Sequence, residues 1–468
     1  MTTPATSQPT APTDRRPLLW VLVAASAITA VSLGVRSTFG LFLTPVTEAL
    51  STDRAGFALA IAIQNLVWGL GQPVAGAIAD RFGAPRVLAV GGGLYALGVL
   101  GMSRASTTTE LYLSGGLLVG VAMAAASFSV VLAAVGRIAP PERRTWAMGI
   151  ATAAGSLGQF ILVPLAGQLE DAFGWRSALA ALGSVALVAI ALAPVLRLRT
   201  PAAGTAAAAE AAAAEPLGMA LRRALRHPSY VLLCAGFFVC GFHVTFIGTH
   251  LPAYLGDVGL SKATGARAVA LIGLFNIAGA FAAGSLAARF PKQRLLSLIY
   301  GLRAVAIVGL VLLPHTTATA LAFGAVMGVL WLSTVPLTSG IVVGQFGVAN
   351  AGSLFGIVFL AHQIGAFIGV WYGGKLADST GSYVAVWWIA VGLGVFAAVI
   401  HFFIDDRPAP PAPVRVAGAG LGASAGMASI AVLAAVSAVG AANTTAARPT
   451  EQAAASATVP VCIVHPTG

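Results

Sequence analysis

Five ionisable side chains lie well inside long apolar stretches of this chain: Arg36, His243, His250, Arg303 and His362. The carboxylates instead fall near the ends of such stretches, at Glu48, Glu110, Glu170, Asp257, Asp378 and Asp405. An arginine inside lipid costs about 2.5–3.5 kcal/mol on insertion scales, and a buried charge needs a partner. Because no carboxylate lies at depth, the sequence predicts that the partner of Arg36 is an anion bound from outside the chain. The planar guanidinium fits a carboxylate or phosphate.

Other polar residues share one helix face with Arg36. Thr29, Ser32 and Arg36 follow helical spacing, and Phe39 comes next. The alternative is that Arg36 bonds to backbone carbonyls or extends to the membrane surface. Anion binding is the interpretation that the missing carboxylates favour.

The histidines suggest a second chemistry, proton uptake. Neutral histidine can bind a proton near physiological pH, so His243, His250 or His362 could couple a process to protons. His243 and His250 are seven residues apart and share a helix face. A buried histidine with satisfied hydrogen bonds is the alternative for each. For Arg303 we favour a structural role, with a second anion clamp as the alternative.

Several uncharged polar and aromatic side chains are candidates to line the same cavity. Gln64 and Trp68 share one helix face, with Asn65 adjacent. The full set of predicted binding residues is Arg36, Phe39, Gln64, Asn65, His243, Asn276, Trp331, His362 and Gln363. Ordinary helix packing is the alternative for the uncharged members.

The elements that carry these residues are membrane helices. Of the 468 residues, 58% are hydrophobic and only 9% are charged, against about 25% charged in soluble proteins. Apolar stretches long enough to cross a bilayer recur along the chain. The sequence therefore predicts an all-α membrane protein with about twelve spans, at 18–46, 56–79, 86–104, 109–136, 145–169, 176–197, 229–256, 263–288, 293–313, 318–345, 350–377 and 383–404.

The loop charges predict the orientation of these spans. Lysine and arginine are concentrated on the side of the N-terminus, which favours both termini in the cytoplasm. The opposite loops hold Arg54, Arg104, Arg176, Lys262, Arg267 and Lys375. The predicted regions are a disordered N-terminus (1–17), a first six-helix half (18–197), a cytoplasmic linker (198–228), a second half (229–404) and a low-complexity tail (405–468).

Two of these regions leave alternatives open. Within the linker, Arg222, Arg223 and Arg226 alternate with leucine and alanine, which suits a short amphipathic helix on the inner membrane surface or a plain charged linker. In the tail, 417–442 is long enough to span but consists mostly of alanine and glycine. A disordered tail is favoured over a thirteenth helix.

An internal repeat relates the two halves. "GVRSTFGLFLTP" (34–45) matches "GFHVTFIGTHLP" (241–252) at a spacing of 207 residues, and 158–174 matches 365–381 at the same spacing. "GAIADRFGAPR" (76–86) matches "GSLAARFPKQR" (284–294) at 208. The repeat predicts two parallel halves with a site at their interface, an arrangement suited to alternating access.

The stretch 76–86 also resembles the signature of the major facilitator superfamily between its second and third helices. The matching positions are Gly76, Asp80, Arg81, Gly83 and Arg86. The resemblance covers about residues 18–404 and implies the major facilitator fold, with these residues forming a conformational gate. In the second copy Ala288 stands where Asp80 would be, which implies a weaker gate there.

Within the superfamily the chain is similar to bacterial monocarboxylate and oxalate/formate-type porters. The similarity lies in "RSTFGLFLTPVTEAL", "FFVCGFHVTFIGTHLPAYL" and "FGIVFLAHQIGAFIGVWYGGKLAD". The resemblance implies that the first and seventh helices line the cavity, and the repeat then predicts that His243 faces Arg36. One departure is that the eighth helix holds only Asn276 at depth, where such porters usually carry a charge.

The predicted function is secondary transport of a small organic anion, a mono- or dicarboxylate, across the plasma membrane. Coupling would be to protons or to a counter-anion. The alternatives are proton-antiport efflux of a lipophilic compound and a non-transporting membrane receptor. None of the three lysines (Lys262, Lys292, Lys375) lies in a nucleotide-binding P-loop. We expect a monomer in a lipid bilayer that is not an enzyme and uses no cofactor, metal, nucleotide or nucleic acid.

Overall fold

The computed structural model describes residues 15–126, 130–131, 134–135, 139, 143–196, 217–347, 350–405 and 407. All described residues belong to one compact unit. Most of the predicted disordered N-terminus and of the linker, nearly all of the predicted tail and the segment 417–442 lie outside the described residues.

Within the described residues the regular structure is helical. The long helices are Arg15–Thr38, Arg54–Phe82, Ala84–Arg104, Arg144–Ala186, Pro228–Asp257, Lys262–Leu286, Lys292–Leu312, Thr317–Leu330, Thr334–Phe346, Ala351–Thr380 and Val384–Phe402. The first helix starts at Arg15, so residues 15–17 are helical where the sequence predicted disorder.

Among the described residues, eleven helical segments are long and apolar enough to cross a membrane. One of them, Trp146–Leu196, contains Gly174 at φ 78° and ψ 162°, a conformation outside the helical region. This glycine divides the segment into two crossings, because its positive φ turns the chain between them. The prediction of about twelve spans is confirmed, and we number them 1–12 in chain order. Span 1 is Leu18–Ala49, span 2 is Arg54–Ala79, and spans 5 and 6 lie on either side of Gly174. The other spans, 3, 4 and 7 to 12 in order, are Ala84–Arg104, Thr108–Ala125, Pro228–Asp257, Lys262–Leu286, Lys292–Leu312, Thr317–Phe346, Ala351–Thr380 and Val384–Phe402.

The same helix pairs pack closely in both halves. Span 1 packs on span 5, where a Cβ added to Gly158 would overlap the carbonyl of Ala30. Span 7 packs on span 11, where a Cβ on Gly365 would overlap the carbonyl of Phe238. The repeat matches Gly158 with Gly365. Close packing through small residues is the usual way in which helices associate in a membrane.

Spans 1 and 10 are interrupted beside predicted site residues. In span 1 the α-helix ends at Thr38, and a 3-10 turn, Phe39–Phe42, leads to the helix Leu43–Ala49. In span 10 the helix ends at Leu330 and a new one begins at Thr334. Each interruption frees backbone polar groups that must find partners inside the protein. Both interruptions lie next to predicted site residues.

The predicted short helix before span 7 is present as Leu217–Arg226. It packs on span 7 with Ala220 and Ala224 fully buried, while Met219 and Leu225 are exposed. The helix therefore uses alanine against the bundle and leaves larger apolar side chains outside. Its position on the inner membrane surface stays a prediction.

The predicted gate lies at the turn between spans 2 and 3. Gly83 has φ 90°, a conformation that favours glycine, so the signature glycine has a local structural reason. Arg86 donates from Nη1 to the carbonyl of Phe82 at 3.4 Å, and Arg81 lies over the Phe82 ring. The side chain of Asp80 lies outside the described residues. The gating role of this segment stays a prediction.

Candidate functional site

Arg36 sits in the last turn of the first helix, directly before the 3-10 turn of span 1. Its side chain is half-buried. Nη2 donates to Oδ1 of Asn65 at 2.7 Å, and Nε has no partner. Among the residues that the structure describes, Arg36 donates to no carbonyl and lies against no carboxylate. Its hydrogen-bond partner is therefore a neutral amide, and the described residues offer its charge no anionic partner.

Asn65 links Arg36 to the second half. Its Nδ2 donates to the carbonyl of Ile61 at 2.7 Å, which orients the amide oxygen towards Arg36. Its own carbonyl accepts from Nε2 of Gln363, in span 11, at 3.0 Å. The structure thus brings Arg36, Asn65 and Gln363 together at the interface between the halves.

Aromatic rings complete this group. The guanidinium carbon of Arg36 lies 5.3 Å from the centre of the Trp68 ring, a cation–π contact. Trp68 meets Phe359 edge-on at 5.4 Å, and Phe359 stacks on His362 at 5.7 Å. Nδ1 of His362 is 3.0 Å from Oε1 of Gln363. We call Arg36, Asn65, Trp68, Phe359, His362 and Gln363 the arginine site.

Two predicted members of the site are fully enclosed. Phe39 is 2% exposed and belongs to the hydrophobic core, because the 3-10 turn packs Gly40 against Thr249 of span 7. Gln64 is completely buried, and neither amide atom has a partner. An unsatisfied buried polar group costs about 1–3 kcal/mol. Phe39 therefore does not line a cavity. Gln64, which adjoins Asn65 of the arginine site in the sequence, keeps an amide nitrogen and an amide oxygen without hydrogen-bond partners.

A separate group lies at the interruption of span 10, where Trp331 is part of the interruption and Asn276 bonds to it. Oδ1 of Asn276 accepts from the backbone N–H of Leu332 at 2.9 Å, and Nδ2 donates to Oγ of Ser156 at 2.8 Å. Trp331 is 6% exposed. Asn276 satisfies a freed backbone group and joins spans 8 and 10 to span 5. None of the contacts above connects this group to Arg36.

Arg303 supports the same interruption from span 9. It is fully buried, Nε donates to the carbonyl of Leu330 at 3.1 Å, and Nη2 donates to the carbonyls of Leu330 and Trp331. Nη1 lies 3.5 Å from Sγ of Cys240. With its donors used in this way, Arg303 is not a second anion clamp in this structure. The preferred structural interpretation agrees with the geometry.

The predicted pairing of His243 with Arg36 is wrong. His243 is completely buried in the second half, with Nε2 2.8 Å from the carbonyl of Ala390 in span 12 and the ring against Gly394. The repeat aligns the positions of His243 and Arg36 along their helices. The repeat does not fix the direction of the two side chains. The His243 ring packs against Gly394, which has no side chain, and therefore points towards span 12.

His250 is also buried, and both ring nitrogens have partners. Nδ1 is 2.9 Å from the hydroxyl of Tyr383, and Nε2 is 2.9 Å from the carbonyl of Val370. Of the three predicted proton carriers, His362 is the one in the arginine site. The structure thus separates the histidines that the sequence grouped together.

Sequence reasoning missed Phe359 and Ser156. Phe359 precedes His362 by three residues, so helical spacing could have placed it on the same face. Ser156 gives no comparable signal, because its partner Asn276 is 120 residues away.

Known proteins match this chain over most of its length. The family model of the Major Facilitator Superfamily matches residues 25–370. Monocarboxylate transporter 13 of Bos taurus is 28% identical, with 83% of this chain and 91% of that protein covered. Monocarboxylate transporter 11 of Mus musculus is 30% identical, with 78% and 83% covered. An uncharacterized MFS-type transporter of Bacillus subtilis (strain 168), YcxA, is 24% identical, with 83% and 96% covered.

The solved structures agree on the fold. A bacterial homologue of the human lysosomal transporter Spinster, in an inward-facing and unoccupied conformation, superposes with a TM-score of 0.67 at 15% identity. The match covers 85% of this chain and 100% of that one. This likeness concerns the fold, and the family model, which matches well over half of the residues, shows that the chain belongs to the major facilitator superfamily of membrane transporters.

Proposed function

We propose that this protein transports a small organic monoanion, a monocarboxylate, by alternating access coupled to protons. The observation that carries the proposal is the state of Arg36. Its guanidinium has one neutral partner, a free Nε and no described carboxylate. A charge kept in this way at the interface between the halves suits a ligand that brings the opposite charge.

The position of Arg303 favours one of the two predicted substrate classes. Sequence alone left mono- and dicarboxylates open. Because Arg303 is completely buried and donates to the carbonyls of span 10, Arg36 is the one arginine that the described residues place in the site to neutralise a carboxylate. While His362 is neutral, a dianion would leave one carboxylate without a cation, which is costly away from water. The arginine site therefore favours a monoanion.

The rings of the site suit the organic part of the substrate. Trp68 and Phe359 form an apolar wall beside the guanidinium. A carboxylate on Arg36 would place its own carbon chain against these rings, away from water. The relatives named monocarboxylate transporters support the same class.

A substrate panel tests the proposal. The purified protein in liposomes should exchange labelled short-chain and aromatic monocarboxylates, in a saturable way, at least about 10-fold faster than dicarboxylates of similar size. The expected ratio corresponds to about 1.4 kcal/mol of discrimination. Protein-free liposomes are the control. Transport of lipophilic cations without any carboxylate exchange would contradict the proposal and favour drug efflux.

His362 is the proposed proton acceptor. It lies in the arginine site between Phe237 and Phe359, at centroid distances of 5.0 and 5.7 Å, and contacts Gln363. Proton symport requires that monocarboxylate uptake rise as the pH on the substrate side falls. We expect His362→Gln to flatten this pH dependence, because glutamine keeps polar contacts but cannot take up a proton.

The control for this prediction is His315→Gln, which removes an exposed histidine from the loop between spans 9 and 10. Uptake in that variant should keep the full pH dependence. If His362→Gln also keeps it, proton coupling lies elsewhere, while monocarboxylate transport itself would stand.

A further inference from the structure

One end of the bundle carries charged contacts between the two halves. We call it the closed end; it is the end at which span 1 finishes. Arg54 begins span 2, and its Nη1 and Nη2 donate to Oδ2 and Oδ1 of Asp257, at the end of span 7, at 2.5 and 2.7 Å. This is a bidentate pair, the geometry that makes an arginine–carboxylate contact strong and directional.

Asp378, at the end of span 11, reinforces this contact. Its Oδ1 accepts from the backbone N–H of Arg54 at 3.2 Å, and its Oδ2 accepts from the N–H of Ala55 at 2.7 Å. A carboxylate at a helix N-terminus satisfies free donors and complements the helix dipole. The first turn of span 2 is thus held by two acids of the other half.

A second contact lies at the same end. Nζ of Lys262, which begins span 8, is 3.0 Å from Oε1 of Glu170, near the end of span 5. The Glu170 side chain is only 6% exposed. Pairing with Lys262 therefore compensates a carboxylate that the bundle has largely removed from water.

The internal repeat relates the two contacts. Lys262 follows Arg54 by 208 residues, the spacing that relates 76–86 to 284–294. Glu170 adjoins Asp171, which the repeat matches with Asp378. In both copies the basic residue at the start of the second helix of one half contacts an acid at the end of the fifth helix of the other half. The backbone N–H of Arg54 makes this contact with Asp378, and the side chain of Lys262 makes it with Glu170. Unrelated surface charges would have no reason to follow the repeat.

Side chains under Arg54 extend the contact into the second half. The guanidinium carbon of Arg54 lies 5.1 Å from the centre of the Tyr383 ring. Tyr383 is 1% exposed, and its hydroxyl contacts His250. His250, which the sequence predicted as a proton carrier, is therefore placed to hold the ring on which Arg54 rests.

The halves are joined from this end to mid-depth. Gln159 of span 5 donates to the carbonyl of Val269 at 2.8 Å, in addition to the Ser156–Asn276 and Asn65–Gln363 bonds. Gly374 packs on Ala55 and Ala58, where an added Cβ would come within 3.0 Å of either residue. A substrate cannot pass this end unless these contacts separate.

From these contacts we infer that Arg54–Asp257–Asp378 and Lys262–Glu170 form a two-fold ionic latch that keeps this end of the transporter closed and must open in each transport cycle. The inference rests on transport by alternating access and does not depend on which substrate is carried. Because the acids and bases come from opposite halves, the latch contributes only to states in which this end is closed. Weakening it shifts the population towards states open at this end.

Distance measurements on the full-length protein test the latch. Spin labels are placed at Ala172→Cys and Ala318→Cys, exposed positions at the closed end of the two halves. Cys234 and Cys462 are replaced by serine, and the buried Cys240 is kept. The two labels are close together when this end is closed and far apart when it is open. Double electron–electron resonance in nanodiscs should show mainly the short distance of the closed state. Lys262→Glu, and independently Glu170→Lys, should raise the ratio of long to short distances at least about threefold.

Matched variants separate the latch from general damage. The charge swap Lys262→Glu with Glu170→Lys should restore the short distance. Lys375→Glu, which reverses an exposed charge on span 11, should leave the distances unchanged. Arg54→Gln tests the other copy and should shift the ratio in the same direction as Lys262→Glu.

Unchanged distances in both Lys262→Glu and Arg54→Gln, or no recovery in the charge swap, would overturn the inference. The readout is a distance between labels, so absence of carboxylate uptake would count against the proposed substrate and leave this result unaffected.

Discussion

Arg36→Ala is expected to reduce monocarboxylate uptake about 100-fold or more while leaving the thermal stability of the protein unchanged or higher. Each charge-assisted hydrogen bond contributes about 1.5–3 kcal/mol, so a two-point contact with a carboxylate accounts for a loss of that size. Stability should not fall, because the contacts that are lost, one hydrogen bond to Asn65 and one cation–π contact with Trp68, are offset by removal of an embedded charge. An embedded arginine itself carries an insertion cost.

The combination of the two readouts distinguishes binding from packing. A structural arginine would lower the unfolding temperature when removed, together with uptake. Arg36→Lys keeps the charge but loses the planar fork, so we expect intermediate uptake with a raised KM. Arg104→Ala, which removes an exposed arginine at the end of span 3, is the matched control and should change neither quantity. Wild-type uptake in Arg36→Ala would contradict the anion-clamp hypothesis.

Much of the fold follows from hydropathy and helical period. The long apolar stretches predicted the spans to within a few residues, since each must satisfy its backbone internally and reach across the bilayer. These features depend on local sequence, which is why they could be predicted.

Side-chain direction could not be predicted in the same way. Arg36 and His243 occupy matching positions in the repeat, yet Arg36 meets Asn65 of span 2 and His243 meets Ala390 of span 12. The difference depends on which neighbour offers a carbonyl or a gap, and Gly394 supplies the gap for His243. Such neighbours are distant in sequence, so a single chain without its fold leaves them open.

The partners of the charged residues at the span ends are a second feature that could not be predicted from the sequence. Arg54 and Lys262 were interpreted only as loop charges that report orientation. Their partners Asp257 and Glu170 are 203 and 92 residues away, and nothing local identifies them. The repeat contained a clue, because it matches the starts of spans 2 and 8. That clue gains meaning only when the structure shows that acids from the other half face both positions.

Substitution of Arg303 is expected to lower the stability of the protein, whereas substitution of Arg36 is not, although both arginines lie inside membrane spans. The interruption of span 10 frees the carbonyls of Leu330 and Trp331, which accept from the Arg303 guanidinium. Tyr300 lies beneath the same guanidinium, with its ring centre 5.2 Å from the guanidinium carbon. The hydrogen bonds from the guanidinium to these carbonyls offset the cost of burying the charge. Arg303 therefore has a structural role.

Arg303→Met should therefore lower the unfolding free energy by about 3–5 kcal/mol, the range seen when one partner of a buried charged contact is removed. The reason is that the two carbonyls lose their donors in a place that water does not reach. Thermal unfolding in detergent measures the effect, with Leu302→Ala, a change at an exposed neighbour in the same helix, as control. Arg303→Lys should recover only part of the loss, because one ammonium cannot reproduce the geometry of the guanidinium fork. An unfolding temperature equal to wild type in Arg303→Met would show that span 10 holds its interruption without this arginine, and the contrast with Arg36 would then fail.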